Sequence, residues 1–417
     1  MRSLVLIIFV FLISEKWVFA QLNVSAEIRP RAEYRQGYRM LPDSLPPVFL
    51  ISQRNRLSFD YKATSYSFFL SLQDVRLWGD QQLRSQKSSL GVNQAWAALD
   101  LNKNISVKAG RQALLYDNGR LFAHNNWLQQ GQFHDVLKAS FSFNHYKMDI
   151  VGAYNENEER LYKTAYDNFG VNYKTLGLWH LSRKSETLYA SFIAVADGHE
   201  RENRPQTLYV RGTYGGFLRY DITETTRLQG AAYKQTGKTS TGQNINAYYH
   251  SAMLRQSINA FDFAIGYELF SGNNAVDSLN ETDAAFSSLY GVGHRYNGYM
   301  NYFTNIPLHT KGAGLINPYF YTNVQLSETF SMRLAYHYFM LQNNFIDENK
   351  AIDPYLGSEI DLTFKYKISD DADLQFGYFV MFPTSSMKII KGGGSIDKMP
   401  SFAFVMLTVK PVLFSDY

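Results

Sequence analysis

Cysteine is absent from the 417 residues, which excludes disulfide scaffolding, thiol catalysis and cysteine-based metal sites. Missing too is any uninterrupted apolar run of the roughly 20 residues that a spanning helix needs. The best candidate, residues 4–13, falls well short and is broken by Ser14-Glu15-Lys16. No linker, low-complexity tract or charge run divides the chain, and no motif recurs at the roughly 40 to 50 residue period of propeller blades. A single domain over residues 21–417 is therefore expected. The formal net charge of +4 is small and scattered, which argues against nucleic acid as a partner.

The opening has a different character. Met1-Arg2-Ser3, the apolar run and the small-residue ending Val18-Phe19-Ala20 read as a secretory signal over residues 1–20, removed before Gln21. Across the whole chain, aromatics are abundant: 30 Tyr and 30 Phe, an enrichment that suits strands and interfacial girdles.

The organising pattern is strict alternation. Over residues 24–35, Val24, Ala26, Ile28, Ala32 and Tyr34 share one face of a strand, and Ser25, Glu27, Arg29, Arg31, Glu33 and Arg35 share the other. Residues 53–62 repeat it, with Leu57, Phe59 and Tyr61 against Arg54, Arg56, Ser58, Asp60 and Lys62. Residues 66–77 follow, and a phase slip near Gln73-Asp74 predicts a bulge there. About eighteen such segments fit along the chain to residue 410, many near the roughly 9 to 11 residues a tilted membrane strand requires. The connections alternate in length. Residues 36–52, 78–91, 114–131, 156–168, 197–206, 236–245, 271–314, 342–355 and 383–400 are read as long, whereas residues 63–65, 102–103 and 144–145 are short.

That combination reads as an all-β chain folded into a transmembrane antiparallel β-barrel of about eighteen strands, with short periplasmic turns and long extracellular loops. A charge facing lipid at mid-bilayer costs roughly 2 to 4 kcal/mol in such barrels. Glu27, Arg29, Arg31, Glu33, Arg54, Arg56, Asp60, Arg211, Glu268, Arg333, His337, Glu359, Asp361, Lys365 and Lys367 are accordingly expected to face the lumen. Two readings stay open: an arginine constriction that selects anions, or charges that hydrate the interior and pair across neighbouring strands. Tyr209, Tyr233 and Phe339 are inward aromatics, able to stack on sugar rings or to pack a narrow barrel. Residues 271–314 are long enough to fold into the mouth.

Catalytic signals are thin. His134, His180, His250 and His337 lie in or near strands, but no G-x-S-x-G elbow accompanies them, so no enzyme and no catalytic residue is expected. The run Gly392-Gly393-Gly394 lacks the Lys-Ser/Thr of a phosphate cradle and reads as a loop feature. Asp277, Glu281 and Asp283 lack EF-hand spacing, and no metal or cofactor is expected.

Several blocks resemble the alginate export family of outer-membrane barrels. These are Arg29-Pro30-Arg31; Gln73-Asp74-Val75-Arg76 with Trp78-Gly79; Gly110-Arg111-Gln112 through Tyr116-Asp117 to Arg120-Leu121; Phe133 to Val136; Ser271-Gly272-Asn273 with Gly298 to Phe303; Glu359 to Leu362; and Leu407-Thr408-Val409. The chain departs from the family pattern at Asn273 and Asn301, where Asp is expected, and at His134-Asp135, where Asp-Gly is usual. The resemblance implies an eighteen-stranded barrel in the bacterial outer membrane, acting as a monomer in contact with lipid. It also implies a passive channel for an anionic polysaccharide, oligosaccharide or other small anionic solute. By matching blocks, Arg29, Arg31, Arg76, Arg111 and Glu359 are its lumen candidates. The alternative is a loop-plugged barrel serving adhesion or a surface complex.

Overall fold

The computed structural model describes residues 20–81, 89–162, 173–201, 204–275 and 282–416. The expected signal segment, up to residue 19, lies outside them, as do Asp277 and Glu281. Eighteen strands form one closed antiparallel barrel. They are β1 (Gln21–Gln36), β2 (Val48–Lys62), β3 (Tyr66–Leu77), β4 (Leu90–Asn102), β5 (Ile105–Gln112), β6 (His134–Phe143), β7 (Tyr146–Tyr154), β8 (Thr175–Lys184) and β9 (Leu188–Arg201). The other half comprises β10 (Arg204–Asp221), β11 (Thr226–Lys238), β12 (Asn244–Ile258), β13 (Phe261–Phe270), β14 (Leu315–Gln325), β15 (Phe330–Met340), β16 (Tyr355–Ser369), β17 (Ala372–Pro383) and β18 (Ser401–Val409). Closure is made by β1 against β18, with Ala32 opposite Val405, and continues where Val412–Ser415 pairs with the start of β1. No edge is left open, which removes the unpaired backbone groups that hydrocarbon cannot satisfy.

Side-chain alternation sorts the wall. Ile28, on the outward row of β1, is 52% exposed, whereas its inward neighbour Arg29 is 4% exposed. Outward aromatics gather beside the short turns: Tyr61 and Tyr66 flank one, and Phe143 and Tyr146, stacked at 5.8 Å, flank another. Asn144 and Asn259 supply the left-handed backbone of two of these turns (φ 52° and 53°), which asparagine tolerates better than most residues.

The structure revises two local expectations. Residues 197–206 and 236–245, read as long loops, largely continue the strands, since β9 runs to Arg201, β10 begins at Arg204, and β11 and β12 are separated only by residues 239–243. The bulge is not in β3 either: β2 and β3 pair without interruption. It falls in β4, where Ser71 faces Gln94 and Leu72 faces Val92, skipping Asn93. The extra residue turns inward, and Asn93 donates to Gln73 at 2.8 Å and to the Gln130 carbonyl at 3.2 Å.

Two long connections fold into the barrel. Residues 113–133, the first inward loop, and the described residues of 271–314, the second, carry the buried apolar centre: Phe122, Phe286, Met300, Tyr302 and Phe303 are fully buried against wall residues such as Phe270, Phe339 and Phe402. The loops also bond to each other. Tyr290 N donates to Leu121 O at 2.9 Å, Ala123 N to Tyr290 O at 3.2 Å, and Val292 N to Gly119 O at 3.2 Å. Gly291 permits that approach, since a Cβ there meets the Arg120 carbonyl oxygen at 1.9 Å. α1 (Ile306–His309), within the second loop, and α2 (Ser385–Lys391) form part of an outer cap, and Gly392 ends α2 with a left-handed φ of 76°.

Candidate functional site: the arginine layer and the inward loops

Antiparallel register brings the charged rows of β1 and β2 together: Glu27 lies opposite Arg56, and Arg29 opposite Arg54. These side chains meet the first inward loop. Arg29 donates to the Asn126 carbonyl at 2.8 Å, the Leu128 carbonyl at 3.3 Å, and Gln129 Oε1 at 2.8 Å through Nη2. Arg31 donates to the Trp127 carbonyl at 2.8 Å, and its guanidinium carbon lies 4.1 Å from the centroid of the Trp127 ring. Arg54 reaches Asn126 Oδ1 at 3.0 Å, and Arg56 reaches Gln73 Oε1 at 3.0 Å. Among the described residues, two carboxylates share the layer directly: Glu27 accepts from Arg54 Nε at 2.6 Å, and Glu33 accepts from Arg31 Nε at 2.5 Å and from Arg35. Carbonyl oxygens satisfy a guanidinium without cancelling its charge, so the layer stays net positive.

Two cavities flank it. One, of about 410 Å³, is lined on the mouth side by Arg31, Arg35, Tyr38 and Arg39; the other, of about 510 Å³, by Glu27, Arg29, Arg54, Asn118 and Arg295. Trp127 borders both.

The carboxylates expected in the lumen do different work. Glu359 accepts from Met300 N at 2.7 Å, and Asp361 from Tyr299 N at 3.2 Å, so the pair grips adjacent backbone amides of the second loop. Gly298, at φ 81°, is needed there, since a Cβ meets the Glu359 carboxyl at 2.5 Å. Glu268 accepts from Tyr249 Oη at 2.7 Å and pairs with Arg120, which also holds Asn297 Oδ1 at 2.7 Å and Val292 O at 3.0 Å. Arg120 belongs to the first loop and is fully buried, and it ties both loops to the wall. Alternation could not single it out, because it lies between strands. Only the family block containing Arg120-Leu121 touched it.

The remaining expected residues are dispersed. Arg211 makes a two-point contact with Asp197, at 3.1 and 2.5 Å, and Tyr290 donates to the same carboxylate at 3.2 Å. Arg333 donates to Asn323 Oδ1 at 3.1 Å. Arg76 and Arg111 are not in the layer, although Arg76 borders the mouth-side cavity. Arg76 lies opposite Gln53 and bonds Asp74, which lies opposite Asn55 on the outward row of Leu57 and Phe59. Arg111 lies between Ala95 and Asp135 on the outward row of Ala109 and Leu137. In both places the polar row changes face near the upper end of the strand, so polarity alone misleads. Lys367 pairs with Asp370 in a short turn.

The histidines take ordinary partners. His134 meets Tyr173 Oη at 2.9 Å, His337 meets Asn317 Oδ1 at 3.2 Å, and His250 meets Tyr267 on the outer face at 3.1 Å. His180 and Ser191 both bond Asp117 (3.1 and 2.6 Å) rather than each other, which is not the geometry of an activated nucleophile. Asn301 holds His294 at 2.7 Å and donates to Tyr38, so the departure from the family pattern there serves the plug. Burial lowers the His294 pKa to about 3 and keeps that ring neutral.

The sequence profile of the alginate export family matches residues 20–388. The chain belongs to the alginate export family. The same architecture occurs in solved structures at low identity. OccD3 (OpdP) of Pseudomonas aeruginosa superposes with a TM-score of 0.62 at 14% identity, over 94% of this chain and 92% of that one. OccAB1 of Acinetobacter baumannii gives 0.64 at 11% identity, over 94% and 97%. OpdK of Pseudomonas aeruginosa, determined with vanillate, gives 0.61 at 7% identity, over 94% and 98%. No curated protein sequence matches. This alginate export family member is thus a porin-like barrel of the Gram-negative outer membrane, and its family and fold are those of outer-membrane channels.

Proposed function

We propose that the protein is a passive channel for small anionic or sugar-like solutes, with Arg29, Arg31, Arg54 and Arg56 setting its preference for anions. The observation that carries the reading is the surplus of fixed positive charge in the arginine layer: four arginines share it with the carboxylates of Glu27 and Glu33, and cavities lie on both sides. In a narrow passage with low-dielectric walls, such a surplus lowers the barrier for anions and raises it for cations. Guanidinium forks also match carboxylates in two places. The vanillate in the OpdK structure is a carboxylate, in keeping with this solute class.

Reversal potentials in planar bilayers under a salt gradient test the proposal. Replacing all four arginines by Ala is expected to bring the anion-to-cation permeability ratio close to unity, whereas four lysines are expected to keep it. The lysine variant separates charge from loop anchoring. Anion preference that survives the alanine variant overturns the arginine layer; absence of open current at any voltage overturns the channel. A second reading draws on the apolar plug of Phe286, Met300, Tyr302 and Phe303: a closed barrel whose loops bind a surface partner, which zero conductance in wild type and loop-released variants supports.

A further inference from the structure

On the side of the short turns, the inward loops roof a chamber of about 810 Å³. Its walls combine unpaired cations with flat rings. Arg219 reaches in from β10, Arg333 from β15 and Arg295 from the second loop, and none of the three has a carboxylate within ion-pair distance among the described residues. The acids around them are already engaged: Asp361 accepts from Tyr299 N, and Asp221 pairs with Arg227. Asp117 accepts from His180, Tyr189 and Ser191, and Asp262 is held by Arg255 at 2.5 Å. The rings of Tyr319 and Tyr321, two residues apart on β14, lie side by side at 6.4 Å with planes 4° apart. The Arg333 guanidinium carbon lies 3.7 Å from the centroid of Tyr321.

We infer that this chamber, which shares Arg295 with the cavity beside the arginine layer, is a second station that retains ring-bearing carboxylates. The inference rests on the channel reading. A guanidinium already oriented by an aromatic face and by Asn323 loses little freedom when a carboxylate docks on its free edge. A parallel pair of tyrosines offers a surface for the ring that the carboxylate carries, whether a pyranose or an arene. The chamber falls within the roughly 300 to 1,000 Å³ typical of small-molecule sites. A bare inorganic anion or a short aliphatic acid takes the charge contact and leaves the ring surface unused, so the chamber discriminates by ring, whereas the arginine layer discriminates by charge.

Titration calorimetry on the detergent-solubilised barrel tests this without relying on conduction, using D-glucuronate, benzoate and acetate. Both ring anions are expected to bind at concentrations at least tenfold lower than acetate, and Arg333→Gln and Tyr321→Leu are each expected to weaken them at least fivefold. Stronger binding of glucuronate assigns the station to sugars, and stronger binding of benzoate to arenes. Ring anions binding no better than acetate, or unaffected by both substitutions, overturn the inference. Absent or non-selective current in bilayers, with calorimetric binding intact, instead counts against the channel reading.

Discussion

Along β1 and β2, arginines donate to the carbonyls of residues 126–130 of the first loop; along β13 and β16, carboxylates accept from the amides and the arginine of the inward loops. The two walls use opposite halves of the same hydrogen-bond chemistry, and their surroundings differ. The arginine wall borders two cavities, and neither is lined by Glu268, Glu359 or Asp361. Where charge faces space it acts on a passing solute; where it is sealed behind a loop it acts as an anchor. Lumenal position along a strand therefore does not make a residue part of the selectivity layer.

The largest effect is expected where both loops share an anchor. Removing one partner of a buried pair leaves an uncompensated charge, at a cost of about 3 to 5 kcal/mol. Glu268→Gln or Arg120→Met should release the plug, giving a several-fold rise in single-channel conductance and faster proteolysis within residues 271–314. A double variant, Arg120→Met with Glu268→Leu, is expected to restore much of the wild-type behaviour, because an apolar pair of similar volume often replaces a buried ion pair at little cost. If the single variants conduct like wild type, the anchor role of the carboxylate wall is wrong.

How much of this the sequence disclosed follows from the range of the signal. Alternation is local, so Val24 to Arg35 declares both its faces, and recurrence with sorted connections declares a barrel. What a charge touches across the lumen is set by loops of no periodicity. Arg29 and Glu359 therefore read alike as lumen residues, although one abuts a cavity and the other is sealed by Met300. The same limit applies to Arg295, whose loop position carries no face. Arg76 and Arg111 mislead for another reason: near the outer rim the wall's outward face tolerates polar side chains, and the pattern that sorts the middle of the strand fails there.

A smaller, pH-dependent effect is expected in the cap above the carboxylate wall. Lys391 of α2 donates to the carbonyls of Tyr302 and of His309 (3.3 Å), and burial lowers its pKa to about 7 from the usual 10.5. Docked, the amine binds its proton less well than when released. The charged form therefore weakens docking fully below pH 7, and the penalty is relieved as pH rises from about 7 towards 10.5. Current fluctuations from plug movement should thus diminish across that window in the wild type and lose their pH dependence in Lys391→Met. Fluctuations that increase with pH, or an unchanged profile in the variant, count against the cap as a stabiliser of the second loop.

The smallest effect belongs to the outward Arg111, and it sharpens the comparison most directly. Arg111 has a single long contact, 3.4 Å to Asp135, and both side chains are exposed. An exposed pair contributes roughly 0 to 1 kcal/mol, and a charge outside the wall acts on the lumen only across the barrel's low-dielectric shell and against counter-ions at the surface. Arg111→Gln should leave the reversal potential within error of the wild type, whereas Arg29→Gln alone shifts it towards zero. A shift from Arg111→Gln as large as that from Arg29→Gln would mean that net charge of the whole barrel, rather than the arginines facing the two cavities, sets the anion preference.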